Sequence, residues 1–243
     1  MNEKTKISAE ITQAATRCER KHRHTVSLSL EDCKRQLEAL YSAEVVKRGG
    51  EYKQTDTKTI AKAAEWLTRR HRFGLLLCGG VGTGKTTLAR AMCELINHMP
   101  YRLCRYEEGG IMFAGTCSSG EWQAEPLGVI DECSAVELAH MAIKDSDHFE
   151  TLKRTARLFI DDLGCEPQAV KSFGTELSPI AELIEWRNDR QLFTIATTNL
   201  SPRTDSGSSE LLEFYGMRTE SRMAELFDII TIEGGDHRKE AKI

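Results

Sequence analysis

Gly79-Gly80-Val81-Gly82-Thr83-Gly84-Lys85-Thr86 fits the pattern G-x-x-x-x-G-K-[ST], whose backbone amides cradle nucleotide phosphates. Phe73-Gly74-Leu75-Leu76-Leu77-Cys78 before it reads as a short buried strand. Thr87 to Ile96 after it carries helix formers with apolar residues at helical spacing. Glycines let successive N–H groups turn inward toward phosphate oxygens, and the helix that follows adds the positive end of its dipole. The stretch from Gly80 through Val81, Gly82, Thr83 and Gly84 to Lys85, Thr86 and Thr87 is therefore the expected phosphate cradle. In this motif Lys85 reaches the β- and γ-phosphates and the Thr86 hydroxyl holds Mg²⁺.

A chain of 243 residues, 40% hydrophobic and 29% charged, buries one good-sized core with at most a small appendage. No apolar run approaches the roughly 20 residues that span a bilayer, and the polar start Met1-Asn2-Glu3-Lys4-Thr5-Lys6 leads to no signal-peptide core. The expectation is a cytoplasmic protein with no membrane partner. The eight cysteines form no C-x-x-C pair, which argues against a zinc site or a disulfide framework.

Net charge is −4, yet residues 1–53 hold eleven Lys/Arg against eight Asp/Glu. These totals give no global grip on nucleic acid, and only a local one stays open. Residues 1–48 read as helical and separate from the nucleotide domain, with Leu30, Cys33, Leu37, Leu40 and Tyr41 forming a stripe that needs a surface to bury against. The basic run Arg17-Cys18-Glu19-Arg20-Lys21-His22-Arg23-His24 suits DNA, RNA or an acidic partner surface, and suits a solvated helix face at least as well. Gly49-Gly50 marks the expected boundary, dividing the chain into a helical region 1–50 and a nucleotide domain 51–243.

Downstream, residues 59–71 read as a helix with Trp66 in a packing role. Residues 101–126 read as a hairpin or a loop, with Phe113 and Trp122 placed either to pack or to stack on single-stranded bases. Leu127-Gly128-Val129-Ile130-Asp131 reads as a second core strand, followed by the capping box Ser134-Ala135-Val136-Glu137 and a helix near 149–155. Residues 175–190 read as an amphipathic helix, residues 208–215 and 219–227 as short helices about Gly216, and residues 228–232 as a last strand.

Two strand ends carry chemistry. Arg157-Leu158-Phe159-Ile160-Asp161-Asp162-Leu163-Gly164 is an apolar strand ending in paired carboxylates, 76 residues beyond Lys85. Asp161 is expected to orient a water or the Thr86-bound Mg²⁺, and Asp162 to position or deprotonate the attacking water. Leu192-Phe193-Thr194-Ile195-Ala196-Thr197-Thr198-Asn199 is a strand whose amide tip, Asn199, is suited to sense the γ-phosphate. Strands alternating with helices, and ligand residues at the carboxyl ends of three strands, imply a three-layer α/β fold with a parallel sheet.

Four segments occur in order: 74–86, Phe159-Ile160-Asp161-Asp162-Leu163-Gly164, Ala196-Thr197-Thr198-Asn199-Leu200, and Tyr215-Gly216-Met217-Arg218-Thr219-Glu220-Ser221-Arg222-Met223. Together they resemble the DnaC-type AAA+ ATPases, the bacterial helicase loaders, and the related IstB transposition helpers. The resemblance covers roughly residues 55–238. It implies a P-loop NTPase of the AAA+ kind that hydrolyses ATP with Mg²⁺, probed by Lys85 and Thr86 (Walker A), Asp161 and Asp162 (Walker B) and Asn199 (sensor 1). It also implies that Arg222, with Arg218 one turn earlier as the fallback, enters a neighbouring subunit's site, so that a homo-oligomer forms with ATP. The implied clients are a replicative helicase, or a transposase in the helper alternative, and single-stranded DNA; an adaptor that binds ATP with little turnover is the third alternative. Adenine follows from the resemblance, and no Asn-Lys-x-Asp guanine signature is present. Many AAA+ proteins have Glu at the position of Asp162, while Asp is common among the loaders. About eleven residues follow the last strand, so a C-terminal helical lid and its arginine are expected to be lacking, and residues 101–126 resemble an insertion.

Overall fold

The computed structural model describes residues 26, 28–50, 57–69, 72–98, 101–107, 110–113, 122–126, 129–172, 175–202 and 209–235. The basic run at 17–24 lies outside them. Five strands form one all-parallel sheet: β1 (Gly74–Gly79), β5 (Asp131–Ser134), β6 (Arg157–Leu163), β9 (Phe193–Thr198) and β10 (Phe227–Ile232), in the spatial order β10-β1-β9-β6-β5. Parallel strands covered on both faces read as continuous apolar runs. Accordingly β9 is buried at every position and β1 at all but its last.

Successive side chains of each strand point to opposite faces, and the two faces have separate cores. Leu75, Leu77, Phe159, Phe193 and Ile195 face helices α1 (Leu30–Lys47), α2 (Thr57–Thr68) and α3 (Lys85–Asn97). Leu76, Cys78, Leu158, Ile160 and Ala196 face α4 (Ala135–Lys144), α5 (Ser146–Arg154), α6 (Pro179–Arg190) and α7 (Glu210–Leu226). The fold is three-layered α/β, as expected, and among the described residues no helix is long and apolar enough to cross a membrane. Fully buried leucines on both faces each stabilise the fold by roughly 1.5–3 kcal/mol.

The α1 stripe finds its surface on the nucleotide domain itself. Cys33, Leu37 and Tyr41 are buried in the same cluster as Leu88, Met92 and Leu95 of α3, with Leu30 and Leu40 packed at its margin. In its described part, the segment expected to stand apart therefore shares its core with the phosphate-loop helix. Trp66 packs its ring 6.0 Å from Phe193 and donates its indole N–H to Asp228, which is the packing role expected of it.

Two local expectations are corrected, at 127–131 and 175–190, while the hairpin alternative for 101–126 is met by an antiparallel pair with a third strand added. The strand placed at 127–131 lies at Asp131–Ser134, with Val129 exposed before it. As an edge strand paired, among the described residues, only with β6, β5 needs no long apolar run. The helix placed at 175–190 begins at Pro179, and residues 175–177 form β8 of a small hairpin with β7 (Val170–Ser172). Proline lacks the N–H of a helix interior and disfavours helix in the residue before it, so it sits at a first helical position. Residues 101–126 contain an antiparallel three-stranded sheet, β2 (Tyr101–Glu107), β3 (Gly110–Phe113) and β4 (Trp122–Pro126), in the order β3-β2-β4. The Ser134–Glu137 capping box is present as expected. Gly216 breaks α7 at φ 79°, ψ 166°, dividing it much as the sequence suggests.

Candidate functional site

The ends of β1, β6 and β9 lie side by side because the three strands are parallel neighbours. From β1 the chain turns through Gly80, Val81, Gly82, Thr83 and Gly84 into α3. Gly82 and Gly84 take the left-handed backbone (φ 78° and 90°), the curl that aims amides into one concavity. Gly84 caps α3 without any side-chain hydrogen bond, so the first-turn amides keep their donors for a phosphate. Thr83 closes the loop from within, its hydroxyl donating to the Gly80 carbonyl at 3.0 Å. Val81 sits exposed at the loop tip, while Thr87 is buried.

Lys85 is only 5% exposed. Its ammonium donates to the carbonyls of Gly79 (2.9 Å) and Gly80 (2.6 Å) and to Asn199 Oδ1 (2.7 Å). The lysine thus lies across its own loop and reaches the tip of β9. Nearby, burial pushes the Cys78 thiol up to about 12, against the opposing pull of Lys85, so this cysteine stays protonated at neutral pH.

Thr86 donates its hydroxyl to Asp161 Oδ1 at 2.9 Å. A hydroxyl and a carboxylate oxygen brought together are the hard-oxygen pair that Mg²⁺ takes from a protein when phosphates and waters complete its shell. The residues present therefore fit Mg²⁺, and Thr86 and Asp161 are the side chains that would hold it.

Thr197 organises the acidic pair, a role that no local sequence pattern assigns to it. Fully buried, it donates to Asp161 Oδ1 at 2.6 Å and accepts the Asp162 backbone amide at 2.8 Å. Asp162 adopts φ 57°, uncommon for a residue with a side chain, and the β6–β9 register shifts between Ile160 and Leu163. A bulge at this point re-aims a side chain out of the strict alternation, setting Asp162 apart from Asp161. The signal was present as a threonine on the adjacent strand, but its register against Asp161 follows only from the fold.

The structure thus brings Lys85, Thr86, Asp161 and Asn199 together, with Asp162 next in the chain. Arg222 is not drawn into this cluster: its guanidinium pairs with Glu225 at 2.9 Å, while Arg218 pairs with Glu185 at 2.9 Å.

A parallel sheet whose strands run 5-1-4-3-2 in space, with a phosphate loop after the first strand and an acidic pair at the end of the third, defines the P-loop NTPase fold. The chain's fold is like that of a solved helicase loader. It is similar to the crystal structure of the DnaC helicase loader at 21% identity and a TM-score of 0.51, over 79% of this chain and 98% of that one. It is also similar to the crystal structure of DnaI (18% identity, TM-score 0.47, 75% of this chain and 87% of that one). A third likeness is to AMPPCP-bound DnaA from Aquifex aeolicus (15% identity, TM-score 0.45), of which this chain spans 50% and is itself covered over 77%. No protein-family model matches the sequence, and no curated protein does.

Proposed function

We propose that this chain binds and hydrolyses ATP with Mg²⁺ and acts as a nucleotide-switched loader of a replicative helicase on DNA. The observation that carries this function is the meeting of Lys85, Thr86, Asp161 and Asn199 at the ends of three parallel strands, on a fold shared with a helicase loader.

When bound, Mg²⁺ supplies charge neutralisation at the phosphates. The amides of residues 80–87 hold the phosphate chain, and Lys85 exchanges its loop carbonyls for β- and γ-phosphate oxygens. Thr86 and Asp161 hold the metal. Asp162 orients the attacking water, and Asn199, already bonded to Lys85, ties the γ-phosphate to β9. Arg222, or Arg218 in its place, completes the site of a neighbouring copy, where a guanidinium stabilises the charge of the loose phosphoryl transition state. ATP then favours a homo-oligomer that grips single-stranded DNA or the client, and hydrolysis releases it. In this account residues 1–50 engage the client while α1 packs on the ATPase domain formed by residues 51–243, and the protein works in the cytoplasm.

ATP turnover with and without single-stranded DNA, alongside co-sedimentation with a replicative helicase in ATP and in ADP, tests this function. The loader account expects DNA-stimulated turnover and helicase binding that differs between the two nucleotides. Capture of a transposase in place of helicase assigns the helper role instead. Client binding indifferent to nucleotide, with negligible turnover, leaves an ATP-binding adaptor.

A further inference from the structure

Just beyond Asp162 the chain turns sharply. The Cys165 amide donates to the Asp162 carbonyl at 3.1 Å, and Gly164 adopts φ 91°. Glu166 closes this turn from inside, one carboxylate oxygen accepting the Gly164 amide at 2.8 Å. Glu166 is only 4% exposed. A buried carboxylate is costly unless its oxygens are well satisfied, and here the second oxygen accepts the Tyr215 hydroxyl at 2.5 Å. Gln168 adds a second tie, donating to the Phe214 carbonyl at 3.2 Å.

Tyr215 ends the first half of α7, immediately before the break at Gly216. A Cβ at Gly216 would meet nothing within 4 Å, so glycine serves the backbone angle there rather than close packing. Past the break the helix carries Arg218, held by Glu185, and Arg222, held by Glu225. Thr219 donates to the same Glu185 at 3.3 Å. The turn after the acidic pair is therefore pinned to α7 at the residue from which the arginine-bearing half departs.

We propose that Glu166 and Tyr215 are positioning residues for hydrolysis: their hydrogen bond fixes the arginine-bearing half of α7 against the turn that carries Asp161 and Asp162. A shift of that turn in one copy's site then re-aims the arginine which the same copy offers to its neighbour. This rests on α7 supplying an arginine in trans. Burial raises the carboxyl pKa of Glu166 above the ordinary value, against the pull of Tyr215 and the loop amides, in keeping with a group that is held rather than solvated.

The test compares full-length wild type with Tyr215→Phe, Glu166→Ala, Glu166→Gln and Arg222→Ala, measuring both affinity for a fluorescent ATP analogue with Mg²⁺ and turnover at high protein concentration. Tyr215→Phe and Glu166→Ala are expected to keep affinity within about twofold and to lose turnover by about tenfold or more, the signature of an interaction used after binding. Glu166→Gln, which can still bond both the Gly164 amide and the Tyr215 hydroxyl, is expected to recover most of the turnover lost in Glu166→Ala. Affinity and turnover falling together in Tyr215→Phe overturns the proposal, because the pair then only holds the fold. Wild-type turnover in Tyr215→Phe with turnover abolished in Arg222→Ala also overturns it, while leaving the trans arginine standing. Equal turnover in Arg222→Ala and wild type removes the trans arginine and this coupling with it.

Discussion

The Lys85 ammonium donates to Asn199 Oδ1 at 2.7 Å, joining two residues 114 positions apart. The lysine comes from the loop after β1 and the asparagine from the end of β9, so their contact depends on those strands lying side by side. Lys85→Ala should weaken Mg-ATP binding by about 10- to 100-fold, the worth of roughly 1.5–3 kcal/mol of charged hydrogen bonding. Asn199→Ala should leave affinity within about twofold and lower turnover instead. Titration with a fluorescent nucleotide and a phosphate-release assay separate the two. Equal effects of both substitutions on affinity would contradict this division of roles.

Thr197 serves both acidic residues through one hydroxyl. Thr197→Val keeps the side-chain shape but leaves the Asp162 amide and one Asp161 acceptor site without that partner, at about 1–3 kcal/mol of stability. Turnover should fall by about tenfold, and the Mg²⁺ concentration giving half-maximal rate should rise, because a partner that orients a ligand carboxylate is lost. Thr197→Ser should restore both. An unchanged Mg²⁺ dependence in Thr197→Val would show that Asp161 holds its place without help.

Gly84 is constrained twice. Its φ of 90° is costly for any residue with a side chain, and a Cβ there would come within 2.6 Å of the Tyr41 hydroxyl from α1. Gly84→Ala should destabilise the fold by about 1–2 kcal/mol from the backbone alone and weaken nucleotide binding. Adding Tyr41→Phe, which removes the crowding oxygen, should recover part of that loss, a coupling of about 1 kcal/mol in a double-mutant cycle. Strict additivity in chemical denaturation would mean that α1 does not touch the phosphate loop in solution.

Burial raises the carboxyl pKa of Glu166, with the Tyr215 hydroxyl and loop amides only partly opposing it. Folding therefore favours the protonated acid. Its contribution is fully present below the unfolded-state pKa and is lost as pH rises through the folded-state value. The melting temperature of wild type relative to Glu166→Gln should thus fall as pH rises from about 4 toward neutrality. A pH-independent difference between the two, or one that grows in favour of wild type, would refute this.

Strands β1, β6 and β9 were legible because doubly covered parallel strands are written as apolar runs, as in Leu75-Leu76-Leu77-Cys78, and the edge strand β10 was legible from its β-branched residues Ile229, Ile230, Thr231 and Ile232. The edge strand β5 was not, since Asp131 and Glu132 at its start face solvent and the apolar residues lie just upstream. The start of α6 was written in Pro179, but the helical spacing of Leu177, Ile180 and Ile184 outweighed it. The candidate site was legible where a local pattern carries it, at Lys85, Thr86, Asp161, Asp162 and Asn199. Thr197, Tyr41 and Glu166 act through contacts between distant segments, and no local spacing announces such a contact.

Turnover per subunit, followed as protein concentration is raised, for wild type and Arg222→Ala in saturating Mg-ATP, tests most directly whether the site is completed by a second copy. The account predicts that wild-type turnover per subunit climbs with concentration and that Arg222→Ala abolishes it while still binding nucleotide. Turnover per subunit that stays flat with concentration and is indifferent to Arg222 would contradict it.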